Sequence, residues 1–136
     1  MNRLYDFEIG GRTLRLNCSV QAALDIGEEY GSMQAALNEI DQLTGSAEPN
    51  STEKGIALGA KLVSKFAVQG KRYCDLTGEP CDKPYTADEL LILLAWDPSE
   101  ARRMFDAMRN ALREGSTESV AVETPKNADT TLVEED

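Results

Sequence analysis

The chain contains no histidine at all among its 136 residues. Ser-His and Cys-His nucleophile pairs are therefore excluded, and so is any metal site built on imidazole. Catalysis through carboxylates, lysines or thiols stays formally open, but the absence argues against an enzyme. Long apolar runs are missing too. The longest uninterrupted one, Leu90 to Trp96, is seven residues, far short of the roughly 20 that span a bilayer. The opening Met1-Asn-Arg-Leu-Tyr-Asp-Phe-Glu8 places acids where a signal peptide needs a continuous apolar segment. Cysteine is sparse, with Cys18, Cys74 and Cys81 forming an odd set that no disulfide framework explains. These absences predict a cytoplasmic chain with reduced thiols, no membrane association and no cofactor. Positive charge is also scarce. With 24 acidic and 14 basic residues the formal net is −10, so unaided nucleic-acid binding through a broad basic surface is excluded.

What is present suffices for one domain. Hydrophobic residues make up 41%, an ordinary value for a globular chain. The acid excess is unevenly placed. Residues 114–136 hold seven acids, one base (Lys126), no aromatic and six apolar residues, a net of −6. The remaining 113 residues carry 17 acids and 13 bases, a net of only −4. The terminal composition cannot bury enough apolar area to offset the entropy of ordering it. The expectation is a folded domain over 1–115 and a disordered acidic tail over 116–136.

Periodicity organises the domain. Tyr5, Phe7 and Ile9 alternate with Asp6 and Glu8, Gly10-Gly11 supplies a tight turn, and Leu14 and Leu16 alternate with Thr13, Arg15 and Asn17. This predicts a β-hairpin, which needs a helical layer beneath it. Ser19 caps a helix with an apolar stripe at Val20, Ala23, Leu24, Gly27 and Tyr30, closed by Gly31. Ser32 caps a second with Met33, Ala36, Leu37, Ile40 and Leu43 on one face. After a loop over 44–50, a third helix starts at Ser51 or Thr52. Its stripe is Ile56, Gly59 or Ala60, Val63, Phe66, Ala67 and Gly70. Lys71 to Tyr85 reads as irregular. Thr86-Ala-Asp-Glu89 is a capping box that opens a helix carrying Leu90, Leu91, Leu94 and Ala95. Asp97-Pro98-Ser99-Glu100 starts the last helix, with Ala101, Met104, Phe105, Met108 and Leu112 inward and Gly115 as its end. The fold class is α+β, mainly α: an N-terminal hairpin packed on about five helices.

Three features are candidate sites. Cys74 and Cys81 could bind zinc only with Cys18 and a carboxylate such as Asp75 or Asp82, and ordinary loop thiols are the better reading. Arg102, Arg103, Arg109 and Arg113 form a basic stripe on the last helix. It serves either as a docking surface for an acidic partner or the chain's own tail, or, more simply, as a solvated face offsetting the macrodipole. Leu90, Leu91 and Leu94 lie in a run that is apolar at every position. A central core helix is the simpler expectation; the alternative is an outward strip for a protein partner or for self-association. The carboxylate pairs Glu28/Glu29 and Asp88/Glu89 are adjacent in sequence and diverge on a helix, so no glycosidase-like pair is formed.

The order of elements, with Tyr5-Asp-Phe-Glu-Ile-Gly-Gly-Arg-Thr-Leu-Arg-Leu-Asn17, the step Tyr30-Gly31-Ser32 and the run Thr86 through Asp97-Pro-Ser-Glu-Ala101, resembles the tail assembly chaperones of long-tailed bacteriophages and prophages. The resemblance covers most of 4–113, and the loop 71–85 departs from it. It implies a non-enzymatic chaperone that binds the tape measure protein and helps recruit tail tube protein subunits during virion morphogenesis. Such a protein is absent from the mature virion, and its Leu90, Leu91, Leu94 and the four arginines are candidate partner contacts. The family also implies a longer product made by programmed frameshift. Pro125-Lys126-Asn127 can be encoded CCA-AAA-AAC, which places a slip at Lys126–Asn127 and replaces the chain from Ala128 onward. The alternative function is a small acidic adaptor or inhibitor of prophage origin that acts by protein–protein binding.

Overall fold

In the computed structural model, which describes residues 3–116, the chain opens with strands β1 (Tyr5–Ile9) and β2 (Arg12–Leu16). They pair antiparallel, with Phe7 opposite Leu14 and Ile9 opposite Arg12 across the turn. Gly10 and Gly11 both adopt positive φ, 60° and 79°, which is the twist a two-residue hairpin requires. Alternation then places Phe7, Ile9, Leu14 and Leu16 on one buried face. Five helices follow: α1 (Val20–Tyr30), α2 (Met33–Thr44), α3 (Ser51–Thr77), α4 (Ala87–Leu93) and α5 (Pro98–Ser116). The architecture is α+β and mainly α, a two-stranded hairpin on five helices, as the sequence predicts.

Local signals set most boundaries. Ser19 Oγ accepts from the Ala22 amide at 3.3 Å and Ser32 Oγ from the Ala35 amide at 2.9 Å. The Thr86–Glu89 capping box is complete, with bonds of 2.8 and 3.2 Å. Asp97 Oδ1 accepts from the Ser99 amide at 2.9 Å at the start of α5.

The long helix α3 is the centre of the molecule, packing on β2, α1, α2, α4 and α5, while α5 also packs on β1. Phe66, Leu62 and Val63 of α3 are fully buried with Leu14, Leu16, Ile26, Leu90 and Met104. The chain leaves β2 hydrogen-bonded to this helix, Asn17 N–H to Phe66 C=O at 2.9 Å. Immediately alongside, Gly70 lies so close to β2 that a Cβ would sit 1.5 Å from the Arg15 carbonyl oxygen.

Three expectations about local structure are corrected. The stretch from Lys71 is not irregular, because α3 continues two more turns to Thr77 and ends at Gly78, whose φ is 77°. Gly70, in the apolar stripe of α3, is where β2 comes closest to the helix. The shorter connection 78–86 is pinned to the hairpin: Asp82 Oδ2 accepts from the Thr13 amide at 2.8 Å, Arg15 pairs with Glu79 at 2.8 Å, and Tyr85 donates to Gly10 C=O at 2.8 Å. The buried face of α1 is centred on Ala22 and Ile26, while Val20 and Leu24 are 78% and 59% exposed. The buried face is rotated by about a third of a turn from the stripe that periodicity alone suggests, and Tyr30 of that stripe still packs against the core. Finally, α5 does not stop at Gly115 but runs to Ser116, and Gly115 instead lies against the backbone of Cys18. The expected acidic tail and the Lys126–Asn127 position lie outside the described residues.

Candidate functional site

Five residues, Leu90 to Leu94, decide where the site is. Helix α4 has only seven residues and buries one of them, Leu90, against α3. Successive helical positions lie about 100° apart, so a fully apolar run on a helix anchored by Leu90 must point side chains in every direction. Leu93 reaches over the hairpin turn at Gly10, and Ile92, opposite Leu90, is 81% exposed. Leu91 and Leu94 face a groove of about 580 Å³ formed where α4 meets α5. The expectation of a wholly buried core helix is therefore corrected: the run supplies one core residue and an outward apolar surface.

The groove floor is apolar. Ile56 of α3, Leu91 and Leu94 of α4, and Ala101 and Phe105 of α5 line it. Phe105 can lie flat there because Gly59 of α3 has no side chain; a Cβ at that position would meet the ring at 2.5 Å. Trp96, the only tryptophan, stands at the lip and is 87% exposed. It sits in the three-residue join, Leu94 to Trp96, between the end of α4 and the Asp97 cap of α5. Sequence reasoning missed Ile56, Trp96 and Phe105 as site residues. The usable signal was a lone large aromatic wedged between an apolar run and a helix-start motif.

The basic stripe resolves into two parts. Arg102 and Arg109, seven residues apart and so on one helix face, line the groove. Arg102 makes no ion pair among the described residues, and Arg109 pairs with Asp106 at 3.2 Å on the surface. Arg113 continues this face towards the end of α5 and hydrogen-bonds Asn110. Arg103 belongs elsewhere: it donates to Glu8 C=O at 2.6 Å and stacks 4.8 Å over the Phe7 ring, tying α5 to the hairpin. Two carboxylates, Glu53 and Asp97, also border the groove. The Asp97 carboxyl is held below its ordinary range, chiefly by the bond from the Ser99 amide. The apolar floor is thus bordered by charges of both signs.

No family model, curated protein or solved structure matches the chain. The site is accordingly judged on its own chemistry.

Other features are weaker candidates. A second cleft of about 620 Å³ lies between α2 and the start of α3, but Asn38, Glu39, Gln42, Ser46, Glu48 and Lys54 make it largely polar. Cys74 is buried, and Arg15 approaches its Sγ at 3.9 Å. Burial, then the neighbouring Cys74 thiol, pushes the Cys81 thiol up, and burial does the same to Cys18. Both shifts run opposite to the lowered value of an activated nucleophilic thiol. Among the described residues, no three His, Cys, Asp or Glu side chains are gathered to hold a metal ion, and no helix is long and apolar enough to cross a membrane.

Proposed function

We propose that this chain is a non-enzymatic tail assembly chaperone, which binds the tape measure protein and helps bring tail tube subunits to it in the host cytoplasm without remaining in the mature virion. The observation that supports this reading best is the groove between α4 and α5 with Trp96 at its lip. An aromatic side chain of this kind offers about 200 Å² to a partner. At 87% exposure and roughly 25 cal/mol per Å², covering it is worth about 4 kcal/mol before ordering costs. An amphipathic helix laid in the groove would bury the same floor that Ile56, Leu91 and Phe105 now expose in part. Long helical proteins expose such stripes until they assemble, so a groove that takes one stripe at a time matches a holdase. The acid excess keeps the loaded complex soluble.

Co-expression with a phage tape measure protein tests the reading. The expected outcome is a soluble complex that co-purifies. A tape measure protein that stays soluble alone and does not co-purify would overturn it.

A further inference from the structure

Two of the three cysteines are brought together by the turn that ends α3. Gly78 takes a positive φ of 77° there, and the Glu79 amide donates to Cys74 C=O at 2.9 Å, so the chain folds back along the turn it has just left. Cys81 returns with it, and its thiol comes within hydrogen-bonding reach of the Cys74 thiol. Strand β2 holds both in place. Arg15 donates to Cys74 Sγ at 3.9 Å and pairs with Glu79 at 2.8 Å, while Asp82, next to Cys81, accepts from the Thr13 amide at 2.8 Å. Cys74 is fully buried and Cys81 is partly exposed, so only one of the two meets solvent. Cys18 stands apart, packed against Gly115 of α5. We propose that Cys74 and Cys81 are a modification site: a small-molecule disulfide oxidises them to a bridge that staples the 78–86 connection to the end of α3.

The step balances as two thiol–disulfide exchanges. The accessible Cys81 thiolate attacks one sulfur of the reagent, the reagent's S–S bond breaks, and one thiol leaves. Cys74 then attacks Cys81 Sγ and displaces the second thiol. The two cysteines give up two protons and two electrons, and the reagent takes them up as two thiols. Sulfurs already in contact have only to close to about 2.05 Å, a movement of roughly 1–2 Å. Burial and the adjoining Cys74 push the Cys81 thiol up to about 11, so the first exchange is slow near neutrality and speeds up by about tenfold per pH unit. A metal ion is a poorer occupant, since two thiols are half of a tetrahedral set and no third ligand joins them among the described residues. Once formed, the bridge leaves only residues 82–86 between a covalent anchor and α4. A fold that gathers the thiols favours the bridge, and by linkage the bridge favours the fold by the same factor. This inference goes beyond the chaperone reading and needs no partner.

The reduced full chain, equilibrated in glutathione buffers of graded oxidised-to-reduced ratio and quenched with acid, tests the proposal. Intact mass reads the bridge as the loss of two hydrogens. Cleavage before Asp75 separates the two cysteines, so a cross-linked peptide pair identifies them. The expected result is a Cys74–Cys81 bridge that excludes Cys18, with an effective thiol concentration about tenfold or more higher in native buffer than in concentrated urea. The oxidised chain should then unfold at a higher urea midpoint than the reduced one. Cys74→Ser should instead hold glutathione as a mixed disulfide on Cys81, and Cys81→Ser should leave the buried Cys74 without an adduct. Equal effective concentrations in native buffer and in urea would overturn the proposal, because the fold would then contribute nothing to the pairing. So would a bridge made through Cys18, or an oxidised chain with the lower urea midpoint.

Discussion

Gly70→Ala is the substitution whose effect the structure defines most sharply. Judged by helix propensity, alanine in the interior of α3 should stabilise by up to about 1 kcal/mol. The packing says otherwise. The new Cβ would lie 1.5 Å from the Arg15 carbonyl oxygen and 2.6 Å from its carbon. Both obstacles are backbone, so no rotamer change relieves them, and β2 must move away by well over an ångström. That motion strains the 2.9 Å bond from Asn17 N–H to Phe66 C=O, worth about 1 kcal/mol, and loosens Leu14 and Leu16 from Phe66. Overpacking of this kind costs a further ~1–3 kcal/mol. After subtracting the propensity gain, the expected net loss is about 1–3 kcal/mol, or roughly 4–15 °C in Tm. Gly27→Ala is the matched control, since its nearest neighbour, Ser32 Cα, is 3.9 Å from the added carbon and the propensity gain should appear undiminished. Urea unfolding followed by far-UV circular dichroism reads both midpoints. A Gly70→Ala chain at or above wild-type stability, tracking Gly27→Ala, would refute the close packing of β2 on α3.

Three further outcomes are expected. Trp96→Ala should change folding stability by less than about 0.5 kcal/mol because the side chain is 87% exposed, yet weaken partner binding tenfold or more by calorimetry. Thr86→Ala removes the side-chain acceptor of the capping box and should cost about 1 kcal/mol, seen as faster hydrogen exchange at Glu89 and Leu90 of the short α4. The Asp97 carboxyl titrates below its unfolded value of 3.8, so its stabilising contribution is complete above that pH and is lost as pH falls through the lower folded value. Acid unfolding of Asp97→Asn should therefore show less dependence on pH in the window below about 4 than the wild type.

Much of the fold was legible because local rules and packing agreed. The hairpin combined strict alternation with a Gly-Gly turn, and α2 buried or half-buried all five of its expected positions, from Met33 to Leu43. The capping signals at Ser19, Ser32, Thr86 and Asp97 fall where their helices begin. The failures share one cause, which is that rotation and cover are tertiary properties. Val20 and Leu24 have the right spacing for a stripe, but α1 packs through Ala22 and Ile26, which leaves those two exposed. The stretch from Lys71 reads as irregular from its composition, yet α3 carries on past Gly70 to Thr77. For Leu90 to Leu94 no periodicity exists to read, so exposure depends on neighbours that α4 does not have. The arginines show the same limit: Arg102 and Arg103 adjoin in sequence, yet one lines a groove and the other grips the hairpin.

Exposed apolar side chains alone would not single out the α4–α5 face. Val20, Leu24 and Leu76 are also exposed, and isolated residues of this kind are normal on soluble proteins. The difference is shape and origin. Val20 and Leu24 ride on one convex helix, so a ligand there could touch them from a single side. At α4 the two start signals, Thr86 and Asp97, fix a helix of seven residues followed by a join in which Trp96 stays exposed. A longer α4 would carry Leu91, Leu94 and Trp96 over α3 and close the groove; a more polar one would remove it. Capping that is strong enough to hold α4 short, combined with an apolar run that α4 cannot bury, preserves a concave apolar surface at the expense of solubility. A partner's helix laid there, as the chaperone reading proposes, would take that apolar surface out of water.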